Sequence, residues 1–202
     1  MFTEVGLGKN RGAIAFQAFV TEMTGKRGKW LKIIQVETEE HRLYVRELFW
    51  ENLSSTNLMV IREFGISSDV SAILEQDMAK LQQFAPPRGR LLLGEYQGKI
   101  AGCAGLRKIG EDVGEIKRMY VRPEYRRRGI GRSLLEALIS EARQIGYSTL
   151  RLDSAPFAKE AQVLYRSVGF HNSEPYPQSD IPQKYHSQWV FMELALCVDT
   201  FE

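Results

Sequence analysis

The stretch YRRRGIGRSLLEAL, Tyr125 to Leu138, sets three arginines ahead of two glycines one residue apart and an apolar run at helical spacing. A helix start exposes unpaired N–H groups at the positive end of its dipole, so it attracts phosphate. Gly129 and Gly131 lack side chains, which lets the backbone turn tightly and lets an anion approach the amides of a nest-like concavity. The arginines add charge-assisted donors around it. Residue types and spacing thus describe a diphosphate cradle built on Arg126, Arg127, Arg128, Gly129 and Gly131. Other phosphate signatures do not fit. No Gly-x-x-x-x-Gly-Lys-Ser/Thr run is present, and Leu134 stands where a dinucleotide fingerprint needs its third glycine. The plain alternative is a basic first turn with a glycine-softened entry.

The whole chain limits what such a cradle can serve. Its 202 residues suit one domain with a substantial core. Lys plus Arg is 27 against 25 for Asp plus Glu, so the basic stretch is local and a general nucleic-acid binder is disfavoured. Cys103 and Cys197 lie far apart, and His41, His171 and His186 are scattered, so neither a disulfide framework nor a metal site is expected. A reducing, cytoplasmic location follows. No run reaches the roughly 18 apolar residues of a membrane-spanning helix, and no membrane association is expected. Lys9 and Arg11 ahead of GAIAFQAFV form a weak secretory signature without a small-residue cleavage pattern. Residues 1–30 are read as an extension, with Met23 an alternative start, and residues 31–198 as a single domain.

From Leu31 onward the elements that must position the cradle are legible. LKIIQV is a strand, and Thr38 followed by Glu39 and Glu40 starts a helix running to about Asn52 and further. Ser67 to Asp69 cap a second helix that Pro86 and Pro87 stop. RLLLGEYQGKIAGCAGLRKI is an antiparallel hairpin turning at Gln97-Gly98, and GEIKRMYV is the strand before the cradle. Ile130, Leu134, Leu135, Leu138, Ile139 and Ala142 form one apolar stripe, with Gly146 as the helix stop. STLRLDS is a strand, FAKEAQVLYRSVGF a helix, HNSEPYPQSDIPQKY a loop and HSQWVFMELAL the last strand. The order predicts an α/β fold in which a mixed sheet is flanked by helices.

Arg126-x-x-Gly129-x-Gly131, between a strand and an amphipathic helix, resembles the R/Q-x-x-G-x-G/A acetyl-CoA motif of the GCN5-related N-acetyltransferase (GNAT) family. AKEAQVLYRSVGF resembles the same family's second motif, a helix ending in Tyr-x-x-x-Gly-Phe. The resemblance covers roughly residues 31–196 in element order. It implies the acyl-CoA N-acyltransferase fold, acetyl-CoA as co-substrate, and coenzyme A pyrophosphate on the amides from Arg127 to Ser133. The pantetheine arm would lie along Met119, Tyr120 and Val121, where the strand splays from RLDS. The reaction it implies is direct attack of an amine on the thioester. Alkyl amines with pKa near ~10.4 must first lose a proton.

In that reading Glu115, eleven residues before Arg126, matches the general base, acting through water, and Tyr165 matches the general acid. A backbone N–H near Met119 to Val121 would stabilise the oxyanion. Each has a plain rival. Tyr165 could be a core aromatic, Glu115 a solvated partner in a cross-strand ion pair, and Met119 and Tyr120 packing residues. Where the family often has an asparagine before this helix, bonding the pantetheine, the chain has Ala158; that bond is absent or is made by Ser154 or a backbone group instead. For the amine acceptor, a small molecule or a protein amine, Glu37, Glu39, Glu40, Glu47, Glu51, Glu174 and Asp180 could attract a cation. Tyr44, Trp50, Tyr176 and Tyr185 could line an apolar wall. An acidic face that is merely solvated is the rival. A non-catalytic acyl-CoA sensor or interaction module stays open as the alternative function, and so does a homodimer.

Overall fold

In the computed structural model, residues 23–24 and 30–196 are described; Cys197 and, apart from residues 23, 24 and 30, the extension read at residues 1–30 lie outside them. Local chemistry sets the boundaries of the elements. Helix α1, Glu39–Phe64, begins where the Thr38 side chain accepts the His41 amide at 3.1 Å. It ends at Gly65, whose φ of 67° suits a residue without Cβ. Nothing between Asn52 and Gly65 breaks it, so it runs a full three turns past Asn52. Asp69 caps α2, Val70–Ala79, by accepting the Ala72 amide at 3.0 Å, and a 3-10 turn, Leu81–Phe84, follows. The strands β3, Arg90–Tyr96, and β4, Lys99–Lys108, form the expected hairpin. Gln97 and Gly98 both have positive φ, 53° and 75°, the twist that a two-residue turn requires.

The remaining elements are β1, Met23–Thr24; β2, Trp30–Gln35; β5, Val113–Val121; α3, Ile130–Ile145; β6, Thr149–Ser154; α4, Lys159–Ser167; β7, His171–Asn172; and β8, Val190–Ala195. The strands make one sheet in the order β1-β2-β3-β4-β5-β6-β8-β7. Met23 and Thr24 pair with Leu31 and Trp30 at the edge of the sheet. All pairs are antiparallel except β5–β6. The last strand is shorter than the run from His186 implied, because the Gln188 and Trp189 amides turn back onto the Tyr185 carbonyl.

Helices cover both faces of the sheet. Leu134, Leu135, Leu138 and Ala142 of α3 are fully buried against Ala104, Leu106, Leu150 and their neighbours, with Tyr165 of α4 in the same cluster. On the other face Val45, Leu48 and Phe49 of α1 and Leu74 of α2 pack on Leu91, Leu93 and Cys103. Burying each such leucine contributes about 1.5–3 kcal/mol, which fixes the sheet between its helices. Among the described residues no helix is long and apolar enough to cross a membrane.

Two irregularities in β5 position the site. The ladder to β4 pairs Gly105 with Lys117 and Cys103 with Tyr120, which leaves Arg118 and Met119 opposite Ala104 alone. Arg118 takes a φ of 53°, a bulge that re-aims the strand. On the other side, β5 meets β6 at three rungs only, Val113 to Thr149, Gly114 to Leu150 and Glu115 to Arg151. Past them the two strands part.

Candidate active site

The end of β5 runs through Pro123–Tyr125 into α3, and the junction is built as a cradle. Arg127 and Gly129 both sit at positive φ, 60° and 88°. Among the described residues no backbone carbonyl accepts the amides from Arg127 to Arg132. The Ser133 amide, expected with them, instead makes the first bond of α3, to the Gly129 carbonyl at 3.0 Å. A Cβ built on Gly129 meets nothing within 4 Å, so this backbone faces open space. On Gly131 it would touch Leu164 and Met119 at 3.4 and 3.5 Å, ordinary contact.

A cavity of about 560 Å³ opens in front of these amides. Met119, Tyr120 and Val121 of β5, the turn from Tyr125 to Arg127, the α3 start from Gly129 to Arg132, and Leu164 and Tyr165 of α4 line it. Arg126 ties the β5 end to the cradle through Nε to the Val121 carbonyl at 3.1 Å. Arg127 reaches Glu160 and Arg132 reaches Glu136, both at 3.2 Å. Arg128 and Ser133 are off the cavity wall; Arg128 stacks over the Tyr96 ring at 5.3 Å. Phe157 to Ala161 complete the wall, so the start of the second motif at Ala158 lies on the cavity with Phe157 beside it. Ala158 precedes α4 without a side-chain cap bond, and Ser154 is buried with its hydroxyl toward the Ala155 carbonyl.

Tyr165 is buried in the core, packed against Phe170 with ring centroids 6.1 Å apart, and its edge borders the cavity. Burial, and after it the charge of Asp153, push its phenol up, so the hydroxyl stays protonated. Glu115 is fully buried rather than solvated. Its Oε2 accepts from Arg107 Nε at 2.5 Å and its Oε1 from the Tyr176 hydroxyl at 2.7 Å. Burial raises its carboxyl despite Lys117 and Arg107, which act to lower it. The ion pair with Arg107 is indeed cross-strand, since the two residues face each other in the β4–β5 ladder. Neither cavity wall includes Glu115.

A second cavity, about 530 Å³, lies on the other side of the parted strands. Val60, Phe64, Ile66 and Trp189 supply an apolar wall; Arg107, Lys117, Arg118, Asp77, Asp153 and Asp180 supply charge. Of the acidic residues expected to face an acceptor, Asp180 alone is here, and of the aromatic ones Tyr185 alone. Glu47 and Glu51 are turned to Arg122, at 2.9 and 2.8 Å. Tyr176 is buried on Glu115. Sequence reasoning missed Lys117, whose ammonium bridges Asp153 and Asp180 at 3.1 Å each with Glu115 at 3.7 Å. The signal available was the alternation of Glu115 and Lys117 on one side of the strand. Among the described residues no cluster of His, Cys, Asp or Glu is arranged to hold a metal ion.

Comparison with known proteins places this geometry. The model of the acetyltransferase (GNAT) family matches residues 45–170, more than half of the chain. An uncharacterized N-acetyltransferase of Schizosaccharomyces pombe is 32% identical over 124 residues, 60% of this chain and 76% of its own. The IAA acetyltransferase of Azospirillum brasilense is 38% identical over 135 residues, 59% of this chain and 88% of its own. The PaiA N-acetyltransferase of Thermoplasma acidophilum, solved with coenzyme A, shares the fold with a TM-score of 0.63 at 18% identity, over 82% of this chain and 99% of that one. The chain belongs to the acetyltransferase (GNAT) family, the acetyl-CoA-dependent acyltransferases.

Proposed function

We propose that the chain acetylates an amine that enters the second cavity and meets acetyl-CoA held in the first, across the gap between β5 and β6. One observation carries the reading. Among the described residues the amides from Arg127 to Arg132 have no backbone acceptor, and all of these residues but Arg128 line a cavity that reaches the end of β5. Such an array of fixed donors at a helix start suits a diphosphate. The free edge of β5 at Met119 to Val121 would carry the pantetheine arm, and Leu164 and Tyr165 would enclose its thiol end. Bound there, acetyl-CoA would supply a carbonyl carbon activated by its thioester. Tyr165 holds the proton that the departing sulfur needs, and its buried surroundings keep that proton on oxygen. Glu115, with both oxygens engaged, anchors Arg107 and Tyr176 around the charged end of the second cavity.

The second cavity also favours an acceptor of small-molecule size with an apolar body, given Val60, Phe64, Ile66 and Trp189 on one wall. That an IAA acetyltransferase is among the relatives supports including aromatic acceptors in any panel. The test is calorimetric titration with acetyl-CoA followed by a thiol-release assay over alkylamines, arylalkylamines, amino acids and peptides. Binding with turnover of at least one amine is expected. Absence of acetyl-CoA binding overturns the reading, and binding without turnover of any amine converts it to the sensor function.

A further inference from the structure

The reading above leaves the acceptor's first proton without a recipient, because Glu115 is enclosed. Resting on that reading, we infer that Asp153 is the group that takes the proton from the acceptor amine, its carboxylate held in position by Lys117 and Ser179.

Placement in the sheet is the first argument. Asp153 lies two residues beyond Arg151, the last residue of β6 paired with β5, so the strand carries it into the gap. Burial alternates along β6, with Leu152 and Ser154 inward and Asp153 turned toward the second cavity, whose wall it joins. Its Oδ2 accepts from Lys117 Nζ and from Ser179 Oγ, each at 3.1 Å. Among the described residues nothing donates to Oδ1. One oxygen is clamped and the other is unengaged at the cavity wall.

Position separates Asp153 from the nearby carboxylates. Asp180, on an exposed loop, shares its Oδ2 between Lys117 and Arg107 at 3.1 Å each, and Asp77 lies on α2 against Arg118 at 2.6 Å; neither is on the strands that part. Lys117 is no base. Burial lowers its pKa, but Asp153, Glu115 and Asp180 outweigh that and raise it, so it stays an ammonium. Of these carboxylates, Asp153 is the one whose charge acts on Tyr165, the wall residue of the first cavity. Tyr165 lines the first cavity and Asp153 the second, so acid and base stand on the two sides of the parted strands.

The balance of the step closes with these two groups. The amine enters as R–NH3+, and Asp153 Oδ1 takes one proton. The nitrogen lone pair then forms the N–C bond, and the C–S bond breaks with its electron pair going to sulfur. The nitrogen sheds two protons: the first leaves to solvent from Asp153, Tyr165 gives its hydroxyl proton to sulfur, and the second nitrogen proton restores that hydroxyl.

The experiment compares wild type, Asp153→Asn, Asp153→Glu and Glu115→Gln, with phenethylamine and hydroxylamine as probe acceptors and calorimetry for acetyl-CoA. Asp153→Asn is expected to lower kcat with phenethylamine by about 10²–10⁴-fold, the usual range for a general base, with acetyl-CoA affinity unchanged. With hydroxylamine, which is largely unprotonated at neutral pH, most of that loss should vanish. Asp153→Glu should recover part of the rate. An equal loss with both amines, or a rate for Asp153→Asn close to wild type, overturns the assignment. So does a larger fall in kcat for Glu115→Gln than for Asp153→Asn with phenethylamine. Failure of wild type to bind acetyl-CoA would instead strike the transferase reading itself.

Discussion

Replacing Gly129 by glutamate tests the cradle directly. Two costs must be separated. Gly129 sits at φ 88°, where an L side chain is strained by about 1–2 kcal/mol. That strain falls on folding, and at about 2–4 °C per kcal/mol in a chain of this size it lowers Tm by about 2–8 °C. Space is no obstacle, since a Cβ there meets nothing within 4 Å. The second cost falls on binding. A carboxylate about 4 Å from a phosphate charge near the surface is repelled by about 4 kcal/mol, and salt screening reduces this to about 2. At 1.4 kcal/mol per decade, acetyl-CoA affinity should fall at least about thirtyfold. Gly129→Ala serves as the control, sharing the strain and lacking the charge. Calorimetry on both variants, with thermal melts alongside, decides the matter. If Gly129→Glu binds acetyl-CoA within about threefold of Gly129→Ala, the amides do not hold a diphosphate.

Three further outcomes follow from the site. Tyr165→Phe should lower kcat by about 10²-fold with acetyl-CoA affinity retained, and equal steady-state rates would leave the tyrosine a packing residue. Tyr176→Phe removes a hydrogen bond to the buried Glu115 carboxylate, which costs about 1.5–3 kcal/mol and should lower Tm by about 3–12 °C; an unchanged melt would refute that bond. The third concerns pH. Burial acts to raise the Asp180 carboxyl, but Lys117 and Arg107 outweigh it and hold the group below its ordinary value. Its stabilising contribution is therefore present above the unfolded value near ~3.9 and lost as pH falls through the native one. The Tm gap between wild type and Asp180→Asn should be widest near neutrality and close in stronger acid; a gap that does not change with pH would contradict this pairing.

What the sequence disclosed depended on how local its cause was. Thr38, Asp69, Gln97-Gly98, Gly129 and Gly146 act within a few residues of themselves, and each cap or turn is where its chemistry predicts. The α3 stripe was legible because one face repeats at helical period. The charge cluster was not, because Arg107, Lys117 and Asp153 come from three different strands and Asp180 from a loop. Their meeting follows from the parallel β5–β6 rungs, which no local pattern encodes. Glu47 and Glu51 misled for the same reason, since their partner Arg122 is far along the chain. Tyr176 lies in an irregular loop, where burial has no period to betray it.

The three-rung union of β5 and β6 means that the sheet is incomplete in its middle rather than at its rim. Main-chain groups there lack a protein neighbour, and water is a poor substitute in a fold otherwise sealed by two helical layers. In the proposed binding mode, a ligand filling that breach would complete the architecture as well as feed the reaction. At a hundred times its dissociation constant it adds about 2.7 kcal/mol to the folded state. The endurance of such a protein in the cell would then track metabolic supply, with scarcity of its own fuel exposing the molecule to turnover.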